Sequence, residues 1–345
     1  MESCGSQIMK AIGFYRPQPI EAQDALLDLE LPTPELRPRD LLVRVQAISV
    51  NPADVKLRAS AQPPEGQARI LGYDAVGMVE AIGPETHHFK KGDAVFYAGV
   101  INRPGTYAEL HAVDERIVGR RPETLDAAHA AALPLTSLTA WELLFDRLKV
   151  PYGPQFSNDA ILIINGAGGV GSILTQMARR LTGLTVITTA SRPETIAWCR
   201  EMGAHHVIDY HQPLEEGLKV IGIQEVRYVA GLTATDQHQK SIIAAMAPQG
   251  ALAMIDDPAT FDIVPFKLKS LSVHWELMFT RPLFNTADQA AQRRILNEVS
   301  ALVDVGVLRT TFRENYGSIN ATNLKRAHAA VEGGRSSGKI TLSGF

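Results

Sequence analysis

The sequence predicts an α/β protein in two parts: a doubly wound parallel sheet and a second, β-rich domain. Three observations predict it. From Met9 to about Leu133 the chain runs in short β-like segments separated by Gly and Pro, as a small barrel or sandwich does. From Ala160 strands and helices alternate, the rhythm of a parallel sheet covered on both faces. Between the first of those strands and the first of those helices stands the glycine loop Gly166-Ala-Gly168-Gly169-Val170-Gly171. A length of 345 residues agrees with about two domains.

Composition narrows the function classes. Hydrophobic residues are 45% and charged residues 21%, a soluble globular balance. Lys plus Arg (34) against Asp plus Glu (37) leaves a net charge of −3. There is no basic excess for a nucleic-acid backbone and no polybasic run for a membrane surface. Apolar stretches such as Ala160–Ile164 fall far short of the roughly 18 residues that span a bilayer. Cys4 and Cys199 are the only cysteines, which fits a reducing compartment. Residues 1–8 lack the basic and apolar regions of a signal peptide, so a cytoplasmic enzyme is expected.

The first part carries expected strands at Lys10–Tyr15, Leu41–Val50, Ala75–Ile82, Ala94–Tyr97 and Tyr107–Val113. Turn signals such as Gly83-Pro84 and Lys91-Gly-Asp93 separate them. Near Asp126 the texture changes. Ala127–Ala132 is Ala-rich and helical, Pro134 interrupts it, and Ser137–Leu148 is a second helix. Beyond lie expected strands at Ala160–Asn165, Thr185–Thr189, His206–Asp209, Glu225–Ala230, Ala251–Ile255 and Ser270–Trp275. Helices Gly169–Leu181, Glu194–Met202 and Gln237–Met246 alternate with them. The tail holds helices Thr286–Val305 and Ala321–Gly333, then a strand at Gly338–Leu342.

Ile161-Leu-Ile-Ile-Asn165 is the apolar run of a buried central strand. Gly166 is expected to make the tight turn after it. Gly168 would let the backbone approach a pyrophosphate, and Gly171 would let helix and strand pack closely. Free N–H groups at the helix start, around Gly169 and Val170, would bind the phosphates. This is the Rossmann arrangement. An NAD-selective site places an acid roughly 20 residues further on, for the ribose 2′-hydroxyl. Thr188-Thr-Ala-Ser-Arg192 carries none there, whereas Ser191 and Arg192 suit a 2′-phosphate. NADP(H) is therefore the expected cofactor. Ser191-Arg-Pro-Glu194 also reads as a helix capping box, with Arg192 a solvated surface residue.

Further pieces follow in a recognisable order: Ala47-Ile-Ser-Val-Asn-Pro-Ala-Asp54, Leu71-Gly-Tyr-Asp-Ala-Val-Gly77, Gly92-Asp-Ala-Val95, Gly105-Thr-Tyr-Ala-Glu109, Ala132-Leu-Pro-Leu-Thr-Ser-Leu-Thr-Ala-Trp141 and Gly338-Lys-Ile340. With the glycine loop, they make the chain from Met9 onward resemble the medium-chain dehydrogenase/reductase superfamily, in its zinc-free quinone oxidoreductase branch. Ser272-Val-His-Trp-Glu-Leu-Met-Phe-Thr-Arg281 resembles a segment of the group called zinc-type alcohol dehydrogenase-like. The resemblance implies a GroES-like catalytic domain at 1–134 and 312–345, a Rossmann NADP-binding domain at 135–311, an active cleft between them, and a homodimer.

Zinc-dependent relatives carry an early Cys, a His-Glu pair after a glycine, and a later Cys. Here the first position falls near Asn51, and Gly72-Tyr73-Asp74 replaces the second motif. No metal site is expected, since a catalytic zinc needs about three protein ligands. His87-His88 and His205-His206 read as surface pairs.

By the resemblance, Asn51 and Asp54 position substrate or nicotinamide; the alternative is a turn with an Asx cap. Tyr73 donates to the substrate oxygen, or is a half-buried aromatic. Lys56 and Arg58 follow the same loop and either could reach the acceptor carbonyl, though they read first as solvated charges. Thr139 resembles a threonine beside the nicotinamide, against a helix-interior Thr bonded to its own backbone. Tyr210 resembles a tyrosine on the adenosine phosphate and would form the NADP pocket with Arg192. Arg335 would close that pocket or the pyrophosphate side, or belongs to a flexible glycine turn. Gly231, Leu232 and Thr233 end the fourth strand of the sheet and line the cofactor crevice. Trp275, Met278 and Phe279 wall the substrate site or pack a subunit contact.

Without zinc no Lewis acid stabilises an alkoxide, which disfavours alcohol oxidation. Reducing a quinone or α,β-unsaturated carbonyl needs only orientation, donors to the oxygen and a dry cleft. NADPH-dependent reduction of such a small molecule is the expected function. The alternatives are an enoyl reductase with one dedicated substrate, a cofactor-binding protein without catalysis, and a zinc-dependent alcohol dehydrogenase.

Overall fold

The computed structural model describes residues 8–153, 157–334 and 336–345. Cys4 and Arg335 lie outside the described residues. The chain divides into two compact units, Met1–Leu135 with Phe279–Phe345, and Thr136–Met278.

The first unit begins with β1 (Ile8–Phe14), β2 (Leu27–Pro32), β3 (Asp40–Ser49), α1 (Pro52–Ser60), β4 (Arg69–Ile70), β5 (Ala75–Ile82), β6 (Ala94–Tyr97), β7 (Leu110–Asp114), β8 (Val118–Arg120) and α2 (Ala127–Ala131). β1 pairs antiparallel with β2 and β4. β3 is the hub of a larger sheet, antiparallel to both β5 and β7. Leu41, Val43 and Val45 of β3 are buried while Arg44 and Gln46 point outward, the period-two pattern of a strand with one covered face. The strands β2, β4 and β8 add to those expected from sequence.

α3 (Pro134–Trp141) leads into the second unit. A π-helical turn, Glu142–Arg147, follows it, and the Leu148 N–H reaches the Leu143 carbonyl, five residues back, at 2.9 Å. The single helix expected over Ser137–Leu148 is thus a helix joined to a π turn. Then come β9 (Ala160–Ile164), α4 (Gly169–Leu181), β10 (Thr185–Thr189), α5 (Pro193–Glu201), β11 (His206–Ile208), α6 (Leu214–Val220), β12 (Val226–Gly231), α7 (Thr235–Ala245), β13 (Met246–Met254) and β14 (Ser272–Trp275). The strands pair parallel in the order β11-β10-β9-β12-β13-β14. β9 is apolar and buried throughout because neighbours cover it on both sides and both faces. The order reverses between β9 and β12, so the residues after those two strands flank a ligand crevice.

α8 (Thr280–Leu283), α9 (Ala291–Asp304), β15 (Phe312–Asn315), α10 (Ala321–Glu332) and β16 (Lys339–Ser343) complete the first unit. Residues 279–311, expected with the nucleotide-binding domain, therefore join the first unit instead. The reason is the packing of α9 on β8. A Cβ at Gly119 would lie 2.5 Å from Leu296 Cβ. The Arg120 N–H donates to Asn297 Oδ1 at 2.9 Å, and the Asp304 carboxylate accepts the Glu123 and Thr124 N–H groups at 3.1 and 2.9 Å. β16 runs antiparallel to β3 and carries Lys339 into the interior.

Candidate functional site

The first unit holds a buried polar centre. Asn51 caps α1 in an extended conformation. Asp54, in the first turn, accepts the Asn51 N–H at 2.7 Å through Oδ2 and the Gly72 N–H at 3.0 Å through Oδ1. Asn51 Nδ2 donates to Asp74 Oδ2 at 2.8 Å. Asp74 also accepts from Ser49 Oγ at 2.6 Å, the Leu135 N–H at 2.7 Å and Lys339 Nζ at 3.2 Å. Lys339 donates further to the Val50 carbonyl at 3.0 Å and to Asn51 Oδ1. Asp54 thus ties the first turn of α1 back to the Asn51 N–H, while the Asn51 side chain turns to Asp74 and Lys339 and not to the helix start, unlike the Asx-cap alternative. Burial holds the Asp54 carboxyl up at about 7. Burial also raises Asp74 and lowers Lys339, against their mutual attraction. Sequence reasoning missed Lys339 and Asp74 as partners.

Tyr73 follows Gly72 and precedes Asp74, so its neighbours on both sides are anchored by these bonds. It is 0% exposed rather than half-buried. Its ring meets Phe279 edge-on, with centroids 5.2 Å apart. Its O–H meets no acceptor among the described residues, while the Arg69 guanidinium stands near its oxygen as a donor. Burial and then the Asp54 charge push it up to about 12, against the nearby Arg69, so it is a neutral donor. Leaving such a group unpaired costs about 1–3 kcal/mol. An acceptor atom reaching it would remove that penalty.

Arg58 is a correction. It is 1% exposed, not solvated, and it bonds the Gln18 carbonyl and the Glu332 carboxylate. Lys56 is exposed. Two buried histidines lie in the same unit. His111 is bonded by the Tyr97 hydroxyl at 3.1 Å and the Pro104 carbonyl at 3.0 Å, and burial holds it down at about 4. His328 meets the Tyr107 hydroxyl at 3.1 Å, and burial holds it down at about 3. A cavity of about 290 Å³ is lined by Arg37, Arg39, Asp40, Arg103, His111 and Gln289 among others, none of them an expected site residue. Arg103 and Arg39 are taken up there by Asp40 and Glu115.

The glycine loop of the second unit has the expected frame with one change of role. The left-handed residue of the turn is Asn165, at φ 67°, not Gly166. Gly166 is required because a Cβ there would lie 2.5 Å from Thr188 Cβ. Gly168 is the N-cap of α4, and a Cβ on it would meet only the Asn165 side chain, at 3.0 Å. A Cβ on Gly171 would strike the Asn165 carbonyl and lie 2.8 Å from Gly166 Cα. Helix and strand therefore pack as closely here as the sequence implies. Gly169, Val170 and Gly171 open α4, and N–H groups at a helix start have no partner within the helix. A phosphate is the natural acceptor.

Beyond β10, Arg192 rather than Ser191 is the N-cap of α5, so the capping-box alternative does not form. The Ser191 hydroxyl turns instead to Tyr210, donating to its hydroxyl oxygen at 3.1 Å. Arg192 pairs with Glu194 at 3.2 Å and keeps 40% of its side chain exposed. The structure thus brings Ser191, Arg192 and Tyr210 to the adjacent ends of β10 and β11. Gly231 and Leu232 are buried and Thr233 is exposed after β12. Asp256, missed from sequence, holds this turn by accepting the Thr235 N–H and hydroxyl at 2.8 Å each. Thr139 is buried within α3. Trp275 is 55% exposed on the edge strand β14, whereas Met278 and Phe279 are buried. His205 is exposed but its Nδ1 accepts the Val186 N–H at 2.9 Å, and His206 is half-buried in β11.

Comparison with known proteins places these features in context. Residues 37–123 match the family model of the alcohol dehydrogenase GroES-like domain, and residues 202–342 match that of zinc-binding dehydrogenases. A zinc-type alcohol dehydrogenase-like protein of Staphylococcus aureus is 39% identical over 342 residues, covering 97% of this chain and 100% of the relative. A quinone oxidoreductase of Pseudomonas aeruginosa is 30% identical over 309 residues, covering 88% and 91%. The crystal structure of a candidate zinc-dependent alcohol dehydrogenase from Rhizobium etli superposes with a TM-score of 0.95 at 54% identity, covering 98% and 99%. A mycobacterial protein crystallised with NADPH superposes at 0.82 with 25% identity, covering 97% and 99%.

Several of these names invoke zinc. Among the described residues no group of three or more His, Cys, Asp or Glu side chains is placed to hold a metal. The Asp74 carboxylate is already saturated by four donors, and Cys199 is buried in the second unit beneath the glycine loop. The described donor set does not fit a catalytic zinc.

Proposed function

Because the chain belongs to the medium-chain dehydrogenase/reductase superfamily, with the zinc-type alcohol dehydrogenase-like proteins among its relatives, we propose that it is an NADPH-dependent reductase of quinones or α,β-unsaturated carbonyls that works without zinc. An oxidoreductase of that superfamily, related to quinone and alkenal oxidoreductases, is the broader class. The observation that carries the finer reading is the Tyr73 O–H, which has no acceptor in the protein and which, by the resemblance, replaces the histidine of the zinc-dependent relatives. It offers a hydrogen bond to a carbonyl oxygen, and no anion to a cation.

Bound NADPH supplies the hydride. The residues present suit it: the first N–H groups of α4 for the pyrophosphate, and Ser191, Arg192 and Tyr210 for the 2′-phosphate. Tyr73, whose hydroxyl is closed off in the free protein, would donate to the acceptor oxygen once the packing over it opens, where negative charge grows during reduction. Asp54 fixes the Gly72 N–H on one side of Tyr73, and Ser49, Asn51, Leu135 and Lys339 fix Asp74 on the other. These are positioning roles, and they hold the donor at a set place. The exposed Trp275 on the edge strand β14 supports a homodimer. No helix among the described residues is long and apolar enough to cross a membrane.

The test is NADPH oxidation with one ortho-quinone and one small enone as acceptors, with NADH in parallel. Turnover that favours NADPH by about tenfold or more is expected from a charge-assisted 2′-phosphate contact. Absence of turnover by protein that still binds NADPH would overturn the reading.

A further inference from the structure

Two histidines flank the Ser191–Tyr210 pair. The His211 ring centroid lies 4.3 Å from that of Tyr210, at a tilt of 44°. The His238 centroid lies 6.4 Å from the same ring, edge-on at 77°. Ser191 and Arg192 follow β10, Tyr210 and His211 follow β11, and His238 stands in the first turn of α7. Three chain segments therefore bring the Ser191 hydroxyl and two imidazoles against the Tyr210 side chain, with Arg192 next to Ser191 in the chain, beyond the carboxyl ends of parallel strands. Strand ends of this kind face the ligand in open α/β sheets.

The other charged groups around the histidines are engaged or peripheral. Glu194 pairs with Arg192 at 3.2 Å. Asp209 accepts the His211 N–H at 2.9 Å. Asp236 lies two residues before His238 on α7. Burial lowers the proton affinity of His238, Asp236 raises it, and His211 lowers it again.

We propose that His211 and His238 form the protonation-dependent part of the phosphate-monoester subsite, so that the preference for NADPH over NADH depends on their charge and strengthens in acid. The inference rests on the NADPH reading above and adds to it two residues and a pH dependence. A neutral imidazole offers one ordinary hydrogen bond. An imidazolium offers a charge-assisted bond, roughly twice as strong. Histidine changes charge between about pH 5 and about pH 8. The monoester itself loses part of its charge near pH 6, which works in the opposite direction. That term belongs to the ligand and cancels when wild type and variant are compared at the same pH.

The experiment titrates 2′,5′-ADP and 5′-AMP calorimetrically into wild type and the H211Q/H238Q double variant, at about pH 8 and about pH 6. Glutamine keeps a donor and removes the charge. His211 is exposed and His238 half-exposed, and matched thermal unfolding of the two proteins is the control for folding. The expected result is a wild-type advantage over the variant for 2′,5′-ADP that grows by about tenfold from the higher to the lower pH. For 5′-AMP, wild type and variant should agree at both. Tight 2′,5′-ADP binding with a wild-type advantage that does not change with pH would overturn this inference and leave the NADPH reading standing. Equal binding of 2′,5′-ADP and 5′-AMP by wild type at both pH values would overturn both.

Discussion

Lys339 Nζ lies 3.2 Å from Asp74 Oδ2 in the interior of the first unit, and the two residues are 3% and 0% exposed. They are 265 residues apart in the chain, one from the last strand and one from the turn after β4. Removing one member of a buried ion pair strands the other charge, which costs about 3–5 kcal/mol. Lys339→Met should lower the unfolding free energy by about that much in urea titrations. Adding Asp74→Asn to it should recover part of the loss, because the stranded charge is gone.

Tyr73→Phe should separate stability from activity. The substitution removes a buried O–H that meets no acceptor, so stability should hold or rise by up to about 1–2 kcal/mol. If the hydroxyl stabilises charge on the acceptor oxygen, kcat should fall by about 10²-fold with KM little changed. An unchanged kcat would remove Tyr73 from the reaction.

The glycine loop makes a paired prediction. Gly171→Ala places a Cβ against the Asn165 carbonyl and 2.8 Å from Gly166 Cα, backbone atoms that cannot swing aside. It should destabilise by about 1–3 kcal/mol and abolish cofactor binding. Gly168→Ala meets only the Asn165 side chain, at 3.0 Å. Its melting temperature should change little, while NADPH affinity falls because the new methyl faces the pyrophosphate position. Melting curves with and without NADPH distinguish the two.

The buried histidines should give the fold's stability a pH dependence of their own. His111 and His328 are held down from 6.5 to about 4 and about 3 by burial. A depressed group contributes stability that is lost as pH falls, because the unfolded chain takes up protons the folded chain refuses. Asp54 is held up from 3.8 to about 7 by burial, and its contribution runs the other way, being lost as pH rises through that value. Glu276 is held up from 4.5 to about 9 by burial and acts in the same sense as Asp54. Between about pH 6.5 and about pH 5 the two histidines and the two carboxyls offset each other, so wild-type stability should change little. The H111Q/H328Q variant keeps only the carboxyls and should gain about 2.7 kcal/mol per pH unit toward acid relative to wild type. Unfolding titrations across that range measure it.

How much of this could be read from sequence depends on distance along the chain. The glycine loop was legible because its strand, turn and helix are consecutive, and only the division of labour between Asn165 and Gly166 needed coordinates. The pairing of Ser191 with Tyr210 spans 19 residues and one strand-to-strand step, and the resemblance pointed to both. Asn51 and Lys339 are 288 residues apart, and nothing local to either announces the bond. Arg58 reads as a surface charge until Glu332, 274 residues away, is found beside it. Leu27-Asp-Leu-Glu-Leu, by contrast, shows the alternation of a strand openly, and β2 was missed among neighbouring turn residues. Residues 279–311 were misplaced because a helix of α9's pattern suits either unit, and only its contacts with β8 decide.

The account turns on reduction without a metal. The most direct measurement is zinc content by mass spectrometry and NADPH-dependent turnover of an ortho-quinone, both on the same chelator-treated sample. The account predicts full turnover with no stoichiometric zinc, unchanged when zinc is added back. Turnover that disappears with the metal and returns in proportion to added zinc would contradict it.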